Sequence, residues 1–204
     1  MVQYITKTGQ AIEQVFDDLA QLRIRVFRDF PYLYEGSIAY EKEYLKTYTQ
    51  AERSFLFAVY DQDRMIGATT CIPLENEMPE VREPFEQAGM DVSRIFYFGE
   101  SILLPEYRGH GLGHRFFEER EAHAQSYGTF EMTCFCSVVR PEDHPARPAD
   151  YRPHDVFWKK RGYHQEPALQ SKMEWPDLGE TESTAKSMIY WIKPIPPTSK
   201  LVSH

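Results

Sequence analysis

The chain has 204 residues, 42% of them hydrophobic and 26% charged, a balance that supports a packed core and disfavours disorder. That length fits one domain of ordinary to large size, or at most two small ones. Thirty-one acidic residues against 23 basic ones give a formal net charge of -8. Such a chain repels phosphate backbones, so general nucleic-acid binding is not expected, although a local patch for one phosphorylated ligand is allowed. No apolar run approaches the ~20 residues of a membrane helix. The start, Met1 to Lys7, alternates polar and apolar residues and lacks a signal-peptide core, so a soluble cytoplasmic protein is expected. The 3 cysteines, Cys71, Cys134 and Cys136, argue against a disulfide framework and fit a reducing compartment.

In chain order, residues 2–6 read as a short strand. From Gln10 to Asp29, Ile12, Val15, Phe16, Leu19, Leu22, Val26 and Phe27 recur at helical spacing. The run from Phe30 to Gly36, with Pro31, breaks that helix, and a second is expected from Ile38 to Thr49. Residues 54–60 and 64–74 read as strands joined by the short polar turn Asp61-Gln62-Asp63. A short helix follows from Pro79 to Ala88, then a strand over 95–104 closed by Pro105. Leu112, Phe116, Arg120, His123 and Tyr127 share one helical face. Residues 130–139 form another strand, and a proline-rich segment runs from Arg140 to Pro153. A short helix at 154–161 stops at Gly162. Strands at 163–174 and 185–193 complete an α/β or α+β sandwich, leaving a tail from Pro194.

One segment carries chemistry. Strand 95–104 runs into Arg108-Gly109-His110-Gly111-Leu112-Gly113 and then directly into a helix. Glycines let a backbone approach a ligand closely, and a helix start offers unpaired N–H groups at its positive end. This is a cradle for a diphosphate, with Arg108 adding charge. A dinucleotide fingerprint would need G-x-G-x-x-G, and a Walker loop would need Gly-Lys-Ser/Thr where Gly113-His114 stands.

Arg108-x-x-Gly111-x-Gly113 after a strand ending in proline resembles the pyrophosphate motif of the GNAT superfamily of acyl-CoA N-acyltransferases. Residues 54–74 look like that family's central hairpin, 95–104 like its fourth strand, and 154–163 like its late helix. The resemblance implies one domain over 1–193 with a mixed, mostly antiparallel central sheet flanked by helices, and a tail over 194–204. It also implies acetyl-CoA as co-substrate, with its pyrophosphate on residues 108–113 (Arg108, Gly109, His110, Gly111, Leu112, Gly113). The pantetheine arm would pair with the backbone of Ile102, Leu103 and Leu104.

The family often carries a carboxylate where Glu100 stands, and it acts as the base. Trp158 occupies a place where many members have a tyrosine that protonates the leaving sulfur. Indole is no useful acid at neutral pH, so Trp158 is expected to wall the cofactor tunnel, with Tyr151 and Tyr163 as substitutes. The connection between the first two helices shapes the acceptor site in this family. Here it holds Phe30, Tyr32, Tyr34 and Glu35, aromatic faces beside a carboxylate that suit a cation. The expected reaction is acetyl transfer to a primary amine of a small molecule by direct attack in a ternary complex. Alternatives are a non-catalytic acyl-CoA-binding regulator and an acyl-homoserine-lactone synthase-like enzyme. Cys134 and Cys136, two apart in a strand, face one way. They read as buried apolar residues rather than metal ligands, and no metal, nucleic acid or membrane is expected. A homodimer is allowed.

Overall fold

The structure, a computed structural model, describes residues 2–196. β1 (Val2–Thr8) leads through a 3-10 turn, Gly9–Val15, into α1 (Phe16–Phe27). The helix expected from Gln10 therefore starts as a tighter 3-10 segment. Gly9, at φ +50, enters that segment with its N–H on the Ser54 hydroxyl at 3.1 Å. α2 (Ile38–Gln50) begins at Ser37, whose hydroxyl accepts the Tyr40 N–H and satisfies one of the free donors of the first turn.

The hairpin β2 (Phe55–Asp61) and β3 (Arg64–Pro73) follows, then α3 (Pro79–Gln87), β4 (Ile95–Leu103) and α4 (Leu112–Ser126). β5 (Met132–Val138), α5 (Asp155–Lys160), β6 (His164–Trp175) and β7 (Thr184–Pro194) complete the order. β7 runs one residue past the expected domain end, and Ile195 N–H still bonds Glu131 O at 2.7 Å. The remainder of the expected tail, 197–204, lies outside the described residues.

The strands form one seven-stranded sheet in the order β1-β2-β3-β4-β5-β7-β6. Every neighbouring pair is antiparallel except β4 and β5. A parallel pair needs a crossover, and α4 supplies it. Because side chains alternate along a strand, each sheet face has its own helices. Phe57 and Phe98 meet α4 through Phe116 and Phe117. On the opposite face Tyr60 donates to Asp18 of α1 at 2.8 Å. α5 joins the α4 face, with Trp158 against Phe135 and Trp191.

Candidate active site

β4 and β5 pair only over Ile95–Tyr97 and Met132–Cys134. Beyond that both strands continue without pairing to each other, so a gap opens in the middle of the sheet. At the same level β4 carries an extra residue. Thr69 pairs with Ser101 and Cys71 with Phe98, so three steps on β4 face two on β3. A bulge of this kind re-aims the side chains after it. Phe98 packs on Arg120 of α4, yet Glu100, two residues on, points to α1 on the other face. The Glu100 carbonyl that the bulge turns out accepts from Thr69 Oγ1 at 2.7 Å and from buried Arg120 Nη1 at 3.4 Å. Gly99 is required here, because a Cβ would lie 2.0 Å from the Tyr48 hydroxyl.

Glu100 is 4% exposed. Its Oε2 accepts from Arg23 Nη1 at 2.6 Å, and Arg23 Nε bonds Glu41 Oε2. One guanidinium therefore serves two buried carboxylates while lying over the rings of Tyr44 and Phe27. Burial opposes the charge of Arg23, but Glu100 and Glu41 hold its pKa well above the ordinary value. Glu100 Oε1 and Glu41 Oε1 have no hydrogen-bond partner among the described residues.

The glycine-rich cradle stands at the end of β4. Gly109 and Gly111 both sit at φ +84, a left-handed conformation that glycine adopts without strain, and space is open where a Cβ would project. Gly111 caps α4 with no side-chain hydrogen bond, so the first-turn N–H groups are left for an anion. Arg108 Nε donates back to Leu103 O at 3.2 Å, while His110 stays at the surface beside the Tyr107 carbonyl. Leu112 and Gly113 are half-buried, the latter facing Phe157 of α5. Ile102 and Leu104 are buried, with Leu103 half-buried between them at the edge of the gap. Backbone donors, open space and a free helix start together fit a diphosphate.

The residues considered for protonating the sulfur separate. Trp158 is half-buried against Phe135 and Trp191. Tyr163 is 1% exposed, and its hydroxyl engages Thr133 at 2.9 Å and Glu121 at 3.1 Å. Burial and Glu121 raise its pKa, and its ring packs among Phe98, Phe117 and Phe135. Tyr151 lies on the proline-rich segment, its ring edge-on to Phe30 at 4.7 Å. Cys134 is buried and Cys136 half-buried on the same face, and burial pushes the Cys136 thiol up to about 12. A thiol so far from ionisation is a poor nucleophile. Among the described residues no cluster of three His, Cys, Asp or Glu is arranged for a metal. No described helix is long and apolar enough to cross a membrane.

Among the residues expected to line the acceptor site, Tyr32 is half-buried between Phe27 and Trp175. Tyr34 is buried with Trp175 and Met188. Glu35 is turned away from these rings to the surface, where it pairs with Arg28 at 3.1 Å. The rings of Phe30, Tyr32 and Tyr34 are thus divided between two packing clusters, and the Glu35 carboxylate enters a surface ion pair.

Sequence reasoning missed the residue that organises this side. Arg140 donates to Pro31 O, Tyr32 O and both carboxylate oxygens of Asp177, each at 2.8 Å. Against burial, which raises it, Arg140 and Lys186 hold the Asp177 carboxyl below its usual range. Arg23 and Glu41 were missed as well. Their signal was charge on core-facing stripes: Leu19, Arg23 and Phe27 share one helical row, as do Glu41, Leu45 and Tyr48.

The sequence profile of the acetyltransferase (GNAT) family matches residues 16–149. The fold is also that of solved acetyltransferases. One is a GNAT-family acetyltransferase from Streptococcus pneumoniae, at 14% identity and TM-score 0.57, covering 95% of this chain and 100% of that one. Another is the ribosomal-protein-S18-alanine N-acetyltransferase of Escherichia coli, at 12% identity and TM-score 0.55, covering 99% and 100%. A ribosomal-protein-alanine N-acetyltransferase from Brucella melitensis aligns at 10% identity and TM-score 0.59, covering 94% and 99%. No curated protein sequence matches the chain. The chain belongs to the GNAT acetyltransferase family, and its class of reaction is acetyl-CoA-dependent N-acetylation.

Proposed function

We propose that the protein acetylates a primary amine of a small molecule by direct attack in a ternary complex, with Glu100 receiving the amine proton. The observation that carries this reading is Glu100 itself, buried beside the β4–β5 gap with Oε2 held by Arg23 and Oε1 unpaired among the described residues. Arg23 fixes the carboxylate, and the free oxygen is the one able to take a proton, directly or through water.

Acetyl-CoA supplies the acyl carbon and a thiolate leaving group. Residues 108–113 would hold its diphosphate by backbone N–H groups, and the β4 edge from Ile102 to Leu104 would satisfy the amides of its arm. Departure of the sulfur needs no side-chain acid, because a thiol pKa near ~8.5 makes thiolate a fair leaving group. That suits an indole at Trp158.

A small acceptor is supported by closure of the acceptor side. The α1–α2 connection and the β6–β7 turn bond through Glu35 N–H to Pro176 O at 2.9 Å and Leu178 N–H to Leu33 O at 2.7 Å. Tyr34 and Asp177 also form a β-bridge. The test is release of CoA thiol from acetyl-CoA with a panel of small amines and an alanine-initiated peptide. Intersecting initial-rate lines with a small amine are expected. Parallel lines, or turnover with the peptide alone, would overturn the reading.

A further inference from the structure

Glu77 has no part in the chemistry described so far. It lies just beyond β3 and is 1% exposed. The Tyr48 hydroxyl donates to its Oε1 at 3.1 Å, and the Met78 N–H to its Oε2 at 3.0 Å. Tyr48 is fully buried, and its hydroxyl and Thr70 Oγ1 crowd the same point beside Gly99. Thr70 Oγ1 in turn accepts the Glu100 N–H at 3.3 Å. The same tyrosine hydroxyl fills the space beside Gly99. A run of buried polar groups therefore joins Glu77 to the backbone of the β4 bulge.

We propose that Glu77 is a positioning residue for acetyl transfer, its ionised form orienting the bulge that carries Glu100 through Tyr48 and Thr70. This rests on the role given to Glu100 above. With Glu77 ionised, the hydrogen bonds run in one sense: Glu100 N–H to Thr70, Thr70 O–H to Tyr48, Tyr48 O–H to Glu77. A proton on Glu77 Oε1 makes it a donor and turns the Tyr48 hydroxyl back toward Thr70. Thr70 then loses the acceptor of its own proton, and the hold on the Glu100 N–H loosens.

The switch falls in a useful range. Burial pushes Glu77 up to about 7, against the lowering effect of the Met78 and Tyr48 hydrogen bonds. Glu100 on β4 adds to the rise, and Arg23 on α1 opposes it. Tyr44 and Tyr48 from α2, Tyr97 from β4 and Tyr190 from β7 also face this region, each with its pKa raised by burial. So do Cys134 and Cys136 from β5, so these six stay neutral through the range in question. Arg82 of α3 meets the Glu77 backbone carbonyl at 3.2 Å.

The test has two arms on the full chain. In the first, the backbone 15N shift of Glu100 is followed from pH 5 to 9. A titration with a midpoint near 7 is expected, lost in Glu77→Gln and in Tyr48→Phe. A midpoint unchanged in both variants would overturn the proposal. In the second, acetyl-CoA and n-butylamine are the probes. Wild-type kcat should fall about tenfold from pH 8 to pH 6, the change in ionised fraction of a group titrating near 7. Glu77→Gln should flatten that fall while the KM for acetyl-CoA stays within about twofold, since the chain does not touch the cradle. A fall that persists in Glu77→Gln would overturn the rate role. If n-butylamine is not turned over at all, the acceptor reading fails and the 15N titration still decides the coupling.

Discussion

Arg23 Nη1 lies 2.6 Å from Glu100 Oε2, and this contact ties α1 to the bulge of β4. The guanidinium is shared with Glu41, so two carboxylates and one cation are sealed together under the acceptor side. Glu100→Gln should lower the acetyl-transfer step by ~10²-fold, the usual scale for loss of a general base. Acetyl-CoA affinity should be unchanged, as measured by single-turnover rates beside calorimetry. Arg23→Met should instead cost stability, about 3–5 kcal/mol in urea melts, because it leaves two buried carboxylates unpaired.

Gly111→Asp should weaken acetyl-CoA binding far more than Arg108→Ala. Gly111 sits at φ +84 with open space beyond it, so an aspartate is accommodated at roughly 1–2 kcal/mol and projects a negative charge where the diphosphate must lie. Arg108 is exposed and supplies one solvated contact. Calorimetry with CoA checks this. Unchanged affinity in the Gly111 variant would remove the cradle assignment.

The late helix separates packing from acid chemistry. Tyr163→Phe should cost about 1–2 kcal/mol of stability by stripping Thr133 and Glu121 of a buried partner, and should leave turnover largely intact. Trp158→Phe should also keep most activity. A Tyr151→Phe or Tyr163→Phe variant that binds CoA yet does not turn over would show that a tyrosine protonates the sulfur after all.

Glu77 also sets a pH dependence of stability. Its folded pKa, about 7, stands above the ordinary 4.5, so the folded state binds the extra proton between those values. The sign follows from linkage: wild-type stability falls as pH rises from 4.5 to 7. Glu77→Gln lacks this loss, so its melting temperature relative to wild type should climb over that interval and level off above it. Parallel melting curves across the interval would show that Glu77 titrates normally.

The element order was legible because its signals are local. Two apolar runs around the short polar turn Asp61-Gln62-Asp63 gave the hairpin β2–β3, and the stop at Gly162 ended α5. Arg120 was placed on one helical face with Leu112 and Phe116, and it is buried there against Phe98 and Phe117. The cradle was legible for the same reason, since three glycines at a strand–helix junction define a backbone shape within six residues. The acceptor side was not, because its contacts are long-range. Nothing near Tyr32 in sequence says that its carbonyl goes to Arg140, or that Glu100 finds its cation on α1. The bulge that turns Glu100 to that face appears only in the register of β3 against β4.

The four hydrogen bonds of Arg140 have a practical meaning for redesign. They clamp the connection after α1, the segment after β5 and the β6–β7 turn into a single unit. Transplanting the α1–α2 connection from another acetyltransferase to change acceptor choice would alter the carbonyls opposite Arg140 and strand a half-buried guanidinium. Grafts should therefore be exchanged as three matched pieces containing the residues at 31–32, 140 and 177. Libraries that vary one loop alone should yield mostly misfolded clones.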